Sequence, residues 1–321
     1  MSNHSNTDAW EFIADKYAMG IAVILLYVMQ SEGSSPGRQG FKMAVAEDDD
    51  LCGTIGGGIM EFKFVEMARS LLKKDKVEQD LYRQVHNKSA VIDQSGMICS
   101  GEQTIFVYSI KSEDLPHILA LIRSSKDLKN GTLEISQRGI CFSDNKPGKD
   151  FSFSQKGDDF LLQEKTGFKN TLYIIGGGHC ALALSKLMSE MDFYIHVYDE
   201  RDTLHTMQLN TYAHRQTVVD SYSELSRLIP NGNNNYVVIM TSGYRTDDLA
   251  LRALMIKQFR YLGVLGSQTK MDKLLTAYRE ENMSEQVLEK IHSPIGIPIK
   301  SRTTAEIAVS IAAEIINVKN S

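Results

Sequence analysis

The chain has 321 residues, 42% hydrophobic and 23% charged, with 23 glycines and 6 prolines, which is the composition of folded domains and enough length for about two of them. A net charge of −5 provides no basic face to neutralise phosphates, so no nucleic-acid partner is expected. Cys52, Cys99, Cys141 and Cys180 form no C-x-x-C pair, which excludes a zinc ribbon and fits a compartment where thiols stay reduced.

The N-terminal stretch Met1 to Asp8 has no basic region leading into an apolar run, so export is not expected. Asp8 to Ala18 has helical spacing, with Trp10, Ile13, Ala14 and Tyr17 on one face, and Gly20 stops it. Ile21 to Met29 reads as a buried strand, since about twice its length is needed to cross a membrane. The expectation is a cytoplasmic protein with no membrane partner.

Ser31 to Gly40 is dense in turn formers, and Phe41 to Ala46 reads as a strand before the turn Asp48-Asp-Asp50. Thr54-Ile-Gly-Gly-Gly58 opens a helix from Ile59 to Lys73, with Phe62, Val65, Glu66 and Arg69 divided between buried and solvated faces. Strands at Leu81 to His86 and Thr104 to Ile110, a helix at Leu115 to Ser125 and further strands to Phe142 follow. Ser143 to Asn170 holds one weak strand and is the best linker candidate, which sets a boundary near 168 between domains 1–168 and 169–321.

Beyond the boundary, strands (Thr171 to Ile175, Phe193 to Tyr198, Tyr236 to Thr241, Tyr261 to Leu265) alternate with helices (His179 to Glu190, Thr246 to Gln258, Lys270 to Glu281). A doubly wound parallel sheet is predicted. Thr303 to Val318 is a closing helix with Ile307, Ala308, Ile311 and Ile315 on its buried stripe. The fold class is therefore α/β, a small N-terminal α/β domain followed by a Rossmann-like domain.

Gly176-Gly-Gly178-His-Cys-Ala181 has the spacing G-x-G-x-x-A after a strand and at the start of a helix. There Gly176 permits the turn, Gly178 lets a pyrophosphate approach, and Ala181 packs helix on sheet. Asp199 closes the next strand about 20 residues on, where the fingerprint expects a ribose-binding carboxylate. The same glycines also serve packing alone. His179 and Cys180 lie in the first helical turn, where the dipole favours a thiolate; a buried cysteine beside a loop-capping histidine is the other reading.

In the N-terminal half, Ser34-Ser-Pro-Gly-Arg38-Gln-Gly40-Phe-Lys42 and Gly53-Thr-Ile-Gly56-Gly57-Gly58-Ile-Met-Glu61 are glycine-rich without a P-loop lysine. Their amides, with Arg38 and Lys42, could cradle an anion such as a phosphate; alternatively they are plain turns, with Glu61 only satisfying a helix N-terminus. Cys99 precedes Ser-Gly101 at a turn entering a strand.

Taken together and in this order, these motifs resemble the xanthine dehydrogenase accessory factor family, the XdhC and CoxI proteins. Tyr261-Leu-Gly-Val-Leu-Gly-Ser-Gln-Thr-Lys270 and His292-Ser-Pro-Ile-Gly296 before Ala305-Glu-Ile-Ala complete the match. The resemblance implies a molybdenum cofactor (molybdopterin) chaperone that is not itself a catalyst. It would support sulfuration of the cofactor with a cysteine desulfurase and deliver it to xanthine dehydrogenase or a related molybdenum hydroxylase, as a homodimer.

By the same resemblance, the glycine loops with Arg38 or Lys42 would suit the pterin phosphate, Cys99 would be the sulfur ligand to molybdenum, and His292 would touch the ligand or cap a turn. Ile59 stands where many CoxI members have cysteine, which places the chain on the xanthine dehydrogenase branch. Thr241-Ser-Gly-Tyr244-Arg-Thr-Asp247 departs from the family's Thr-Arg-Gly-His. The alternative is an NAD(P)-dependent oxidoreductase built on Gly176, Gly178 and Asp199, with His179 or Tyr244 as acid.

Overall fold

The computed structural model describes residues 8–74, 78–85, 101–145 and 148–321. They fall into two compact units, one ending at Gly167 and the other beginning at Phe168. Among the described residues no helix is long and apolar enough to cross a membrane.

The first unit runs α1 (Asp8–Ala18), β1 (Val23–Gly33), β2 (Lys42–Ala46), β3 (Leu51–Gly53), α2 (Gly58–Lys73), β4 (Gln79–Val85), β5 (Gly101–Ser109), α3 (Leu115–Lys126), β6 (Gly131–Ser136), β7 (Gly139–Ser143), β8 (Phe151–Lys156) and β9 (Asp159–Thr166). Five strands make an antiparallel sheet in the order β3-β2-β1-β5-β4, and four make a second in the order β7-β6-β9-β8. The apolar run of β1 is continuous because both of its faces are covered. Ile24, Leu26 and Val28 pack with Met60, Phe64 and Val65 of α2. Leu25, Tyr27 and Met29 pack with Trp10, Ile118 and Leu121 and with Leu133 and Leu162 of the second sheet. Each large side chain buried this way contributes roughly 1.5–3 kcal/mol.

Two local expectations change here. The stretch expected to be a linker contains β8 and β9, half of the second sheet. On α2, Val65 is buried as expected, whereas Phe62 is 64% exposed and Ile59 56%.

The second unit runs β10 (Asn170–Ile175), α4 (His179–Met188), β11 (Phe193–Asp199), α5 (His205–Leu209), β12 (Arg215–Val218), α6 (Leu225–Leu228), β13 (Gly232–Ile239), α7 (Tyr244–Leu254), β14 (Phe259–Val264), α8 (Gln268–Glu280), α9 (Glu285–Leu288), β15 (Ile291–His292) and α10 (Thr304–Asn320). Its six strands pair in parallel in the order β12-β11-β10-β13-β14-β15. Strand order reverses between β10 and β13, the switch point outside which ligands of such sheets bind. One face packs Ile175, Ile239 and Val264 against Leu251 and Leu274; the other packs Ile174 and Val238 against Leu184 and Ile311. A capping box starts α10: Glu306 N donates to Thr303 Oγ1 at 3.2 Å and Thr303 N to a Glu306 carboxylate oxygen at 3.0 Å.

Candidate functional site

Within the first unit, the two glycine loops lie against each other. A Cβ on Gly56 would stand 2.3 Å from Gly37 N, and one on Gly37 only 2.0 Å from Ile55 O, so only glycine allows the approach. Ser35 Oγ donates to Gly37 O at 3.1 Å, and Gln103 Nε2 reaches Gly37 O at 3.0 Å and Ile55 O at 3.3 Å. Sequence reasoning treats the loops separately and misses Gln103. A glutamine two residues before the apolar run Ile105 to Tyr108 is the available signal.

Of the amides expected to form an anion cradle, those of Gly56 and Gly57 have protein partners, as does that of Ile55 beside them. One Glu61 carboxylate oxygen accepts from Ile55 N at 2.9 Å, Gly57 N at 3.0 Å and Thr54 Oγ1 at 2.5 Å, and Gly56 N donates to Thr54 Oγ1 at 3.0 Å. Desolvation would raise the Glu61 carboxyl, but the Thr54 hydroxyl and these amides outweigh it and hold it below the usual range. Gly57, at φ +75°, has nothing within 4 Å of where a Cβ would be, so its outer side is open. Arg38 is exposed, its guanidinium 3.2 Å from Gly33 O.

Lys42 is not beside Arg38. It is buried, with Nζ 6.0 Å from the Trp10 ring centroid and 5.7 Å from that of Tyr27. Those rings belong to the core on the side of the sheet away from α2. The expected pairing of Arg38 and Lys42 on one anion is corrected accordingly: strand alternation sends Lys42 to the other face. Cys99 lies outside the described residues.

In the second unit the three glycines of the turn differ. Gly176, at φ +102°, would place a Cβ 2.5 Å from Met240 O, and Gly177 would place one 2.5 Å from Met207. Gly178 has nothing within 4 Å. It caps α4 with no side-chain hydrogen bond, and His179 beside it is exposed. Burial pushes the Cys180 thiol up, away from the thiolate form.

Asp199 is fully buried at the end of β11. It accepts from Gly177 N at 2.6 Å and from Arg201 through N, Nε and Nη2 at 2.9, 2.8 and 2.8 Å. Desolvation alone would raise this carboxyl; Arg201 and the Gly177 amide hold it below its ordinary value. Asp199 thus ties the second strand to the glycine turn, and Arg201 takes the bidentate position that a ribose diol would need.

His292 directs Nδ1 to a Glu314 carboxylate oxygen at 3.0 Å and lies against Tyr261, ring centroids 4.5 Å apart. Glu314 also accepts from Tyr261 OH at 2.5 Å and Gly296 N at 2.7 Å. This joins the His-Ser-Pro-Ile-Gly segment to α10. Sequence reasoning misses Glu314, although a carboxylate three residues after Ile311 on the buried stripe marks it. A parallel tie links Thr241 and Asp247: the buried Asp247 accepts from Thr241 N at 3.0 Å and Oγ1 at 2.5 Å, and pairs with Lys270. Tyr244 is 43% exposed. Among the described residues no group of three His, Cys, Asp or Glu is placed to hold a metal ion.

An antiparallel α/β unit carrying interlocked glycine loops, followed by a six-stranded parallel Rossmann-like unit, defines a two-part α/β protein. Residues 172–315 match the XdhC Rossmann domain and residues 17–83 the XdhC and CoxI family. The chain belongs to the XdhC family.

It is 25% identical over 294 residues to the uncharacterized protein YqeB of Escherichia coli (strain K12), covering 91% of this chain and 43% of that one. To a probable xanthine dehydrogenase component of Bacillus subtilis (strain 168) it is 27% identical over 153 residues, 47% of this chain and 43% of the relative. The chain thus spans less than half the length of both. To the molybdenum cofactor insertion chaperone PaoD of Escherichia coli (strain K12) it is 20% identical over 312 residues, 96% of this chain and 87% of the other. A crystal structure of a xanthine dehydrogenase from Bacillus halodurans superposes with a TM-score of 0.70 at 20% identity, covering 98% of this chain and 96% of that one, and shares its fold.

Proposed function

We propose that this protein binds molybdenum cofactor and acts as an accessory chaperone, handing the cofactor to xanthine dehydrogenase or a related molybdenum hydroxylase. The observation that carries the reading is the match to PaoD, an insertion chaperone for that cofactor, along 96% of this chain. The cofactor is cargo: a phosphate-bearing pterin that carries molybdenum. In the first unit the residues suited to its phosphate are Arg38 and the open side of Gly57, because the inner amides already serve Glu61.

Cys99, two residues before Gly101 in the sequence, is the thiolate we assign to molybdenum as a soft ligand. Sulfuration with a cysteine desulfurase, a cytoplasmic location and a homodimer complete the proposal. The NAD(P)-dependent alternative is weakened because Asp199, its ribose ligand, is spent on Gly177 and Arg201. The open side of Gly178 at the start of α4 leaves room for a nucleotide phosphate.

The test is anaerobic purification followed by pterin fluorescence after oxidation, for the wild type, Cys99→Ser and Cys141→Ser. The exposed Cys141 lies on the second sheet. Wild type and Cys141→Ser are expected to carry pterin and Cys99→Ser to lose most of it. Equal retention by all three removes Cys99 from the site, and no pterin in the wild type contradicts cofactor binding.

A further inference from the structure

Gln103 lies on β5 with 1% of its surface exposed. Its amide nitrogen reaches one carbonyl from each glycine loop, Gly37 O and Ile55 O. We infer that Gln103 is a positioning residue for cofactor binding. It locks the two loops into one surface that presents Arg38 and the open side of Gly57, without itself touching the cargo. The inference rests on the reading that the first unit holds the cofactor.

The chemistry favours this amide. Two carbonyls in a buried place need two N–H donors on one short side chain; a primary amide supplies them, and asparagine is one methylene too short. A side chain of similar size without donors takes this partner from Ile55 O and leaves Gly37 O with Ser35 Oγ alone, and the lost bonds are replaced only if the loops separate and admit water. The contact has no slack, because Gly37 and Gly56 meet closer than any Cβ would permit. Separation would therefore move Arg38 relative to Gly57, and a binding surface spread over two loops loses its geometry before the sheet beneath it unfolds.

The full chain is prepared free of cofactor, loaded with molybdenum cofactor and passed through gel filtration, and retained pterin is read by fluorescence after oxidation. Gln103→Leu and Gln103→Glu are compared with wild type and with His117→Ala, which alters α3 of the same unit away from the loops. Retention by Gln103→Leu is expected to fall about tenfold, equivalent to about 1.4 kcal/mol, well below its melting temperature. His117→Ala should bind like wild type despite a lowered melting temperature.

Gln103→Glu, which folds with nearly the same shape, should be equally weak near about pH 7.5. It should partly recover near about pH 5.5, where a buried, protonated carboxyl donates one of the two bonds; the wild type should show no such rise. Wild-type retention by both Gln103 variants overturns the inference. So does a loss in His117→Ala as large as that in Gln103→Leu, since stability alone would then explain it. If the wild type itself retains no pterin, the cofactor reading fails, a result distinct from the other two.

Discussion

Gly176 and Gly178 stand two residues apart in one motif and meet different surroundings. Gly176 needs φ +102° and would drive a Cβ into Met240 O, whereas Gly178 sits at φ −71° in open space. Gly176→Ala should therefore cost about 2–4 kcal/mol and Gly178→Ala less than about 0.5 kcal/mol, measured by urea unfolding. Equal costs would contradict the division of one packing glycine and one open glycine. Motif spacing makes both glycines legible in the sequence, but what each faces is a matter of tertiary contact. Asp199 is legible in the same way. Its commitment to Arg201, two residues on, is not, because no local pattern says whether a neighbouring arginine folds back or points away.

His196 is the residue whose protonation should be felt in stability. Burial, with the charge of Arg215 adding to it, lowers its pKa from 6.5 to about 4. The ring is stacked on Tyr198 at 4.0 Å, lies 6.0 Å from Tyr173, and has Nε2 2.8 Å from Thr217 Oγ1. The unfolded chain takes up this proton near pH 6.5 and the folded one only near pH 4, so the contribution is complete above pH 6.5 and declines as pH falls towards 4. At about pH 4.5 the wild type should have lost roughly 2–3 kcal/mol from this group relative to about pH 7. His196→Phe keeps a ring on Tyr198 and should remove that part of the slope in urea titrations at the two pH values. An unchanged slope would mean that His196 is not the group responsible.

At the scale of elements, the stretch 143–170 looks like a linker with one weak strand because the alternation of β9 is disguised. Along β9, Phe160, Leu162 and Glu164 turn inward while Leu161 turns out at 37% exposure. An inward glutamate and an outward leucine cancel the period-two pattern on which strand reading depends. Glu164 is tolerated inside because the Tyr27 hydroxyl donates to it. β12 escapes for another reason: it is a four-residue edge strand, Arg-Gln-Thr-Val, mostly exposed, with no apolar face to detect. The helices are legible because their buried stripes are long, as on α10 with Ala308, Ile311 and Ile315.

The β7 edge of the second sheet is closed by side chains of and just before α3. Asp114 accepts from Ile140 N at 3.0 Å, and His117 Nδ1 accepts from Phe142 N at 3.2 Å. Edge amides of β7 thus find partners without a neighbouring strand. His117→Ala should cost about 1 kcal/mol, the worth of one hydrogen bond at a partly buried edge. Asp114→Ala should cost more, because Tyr108 OH and Lys111 N also depend on it. Thermal melts of both variants check the order, and a cheaper Asp114→Ala would contradict it.

At the scale of the whole chain, each unit carries glycine turns whose amides or carbonyls are held by a polar side chain: the buried Gln103 and half-buried Glu61 in the first, the buried Asp199 in the second. The alternation of strands and helices after residue 170, and the order of the glycine motifs, make the α/β class and the Rossmann sheet readable from sequence alone. The joining of the two N-terminal loops is not readable, because residues 37, 55 and 103 meet only through the pairing of β1 with β5 and the return of the chain into α2.

The measurement that tests the chaperone reading most directly is transfer of cargo. The protein, loaded with molybdenum cofactor and freed of unbound ligand, is mixed with cofactor-free xanthine dehydrogenase, and recovery of hydroxylase activity is followed against an equal amount of free cofactor. The account predicts that pterin stays with the protein through gel filtration and that the loaded protein restores activity faster and more completely than free cofactor. Pterin that elutes apart from the protein, or activation no better than with free cofactor, would contradict it.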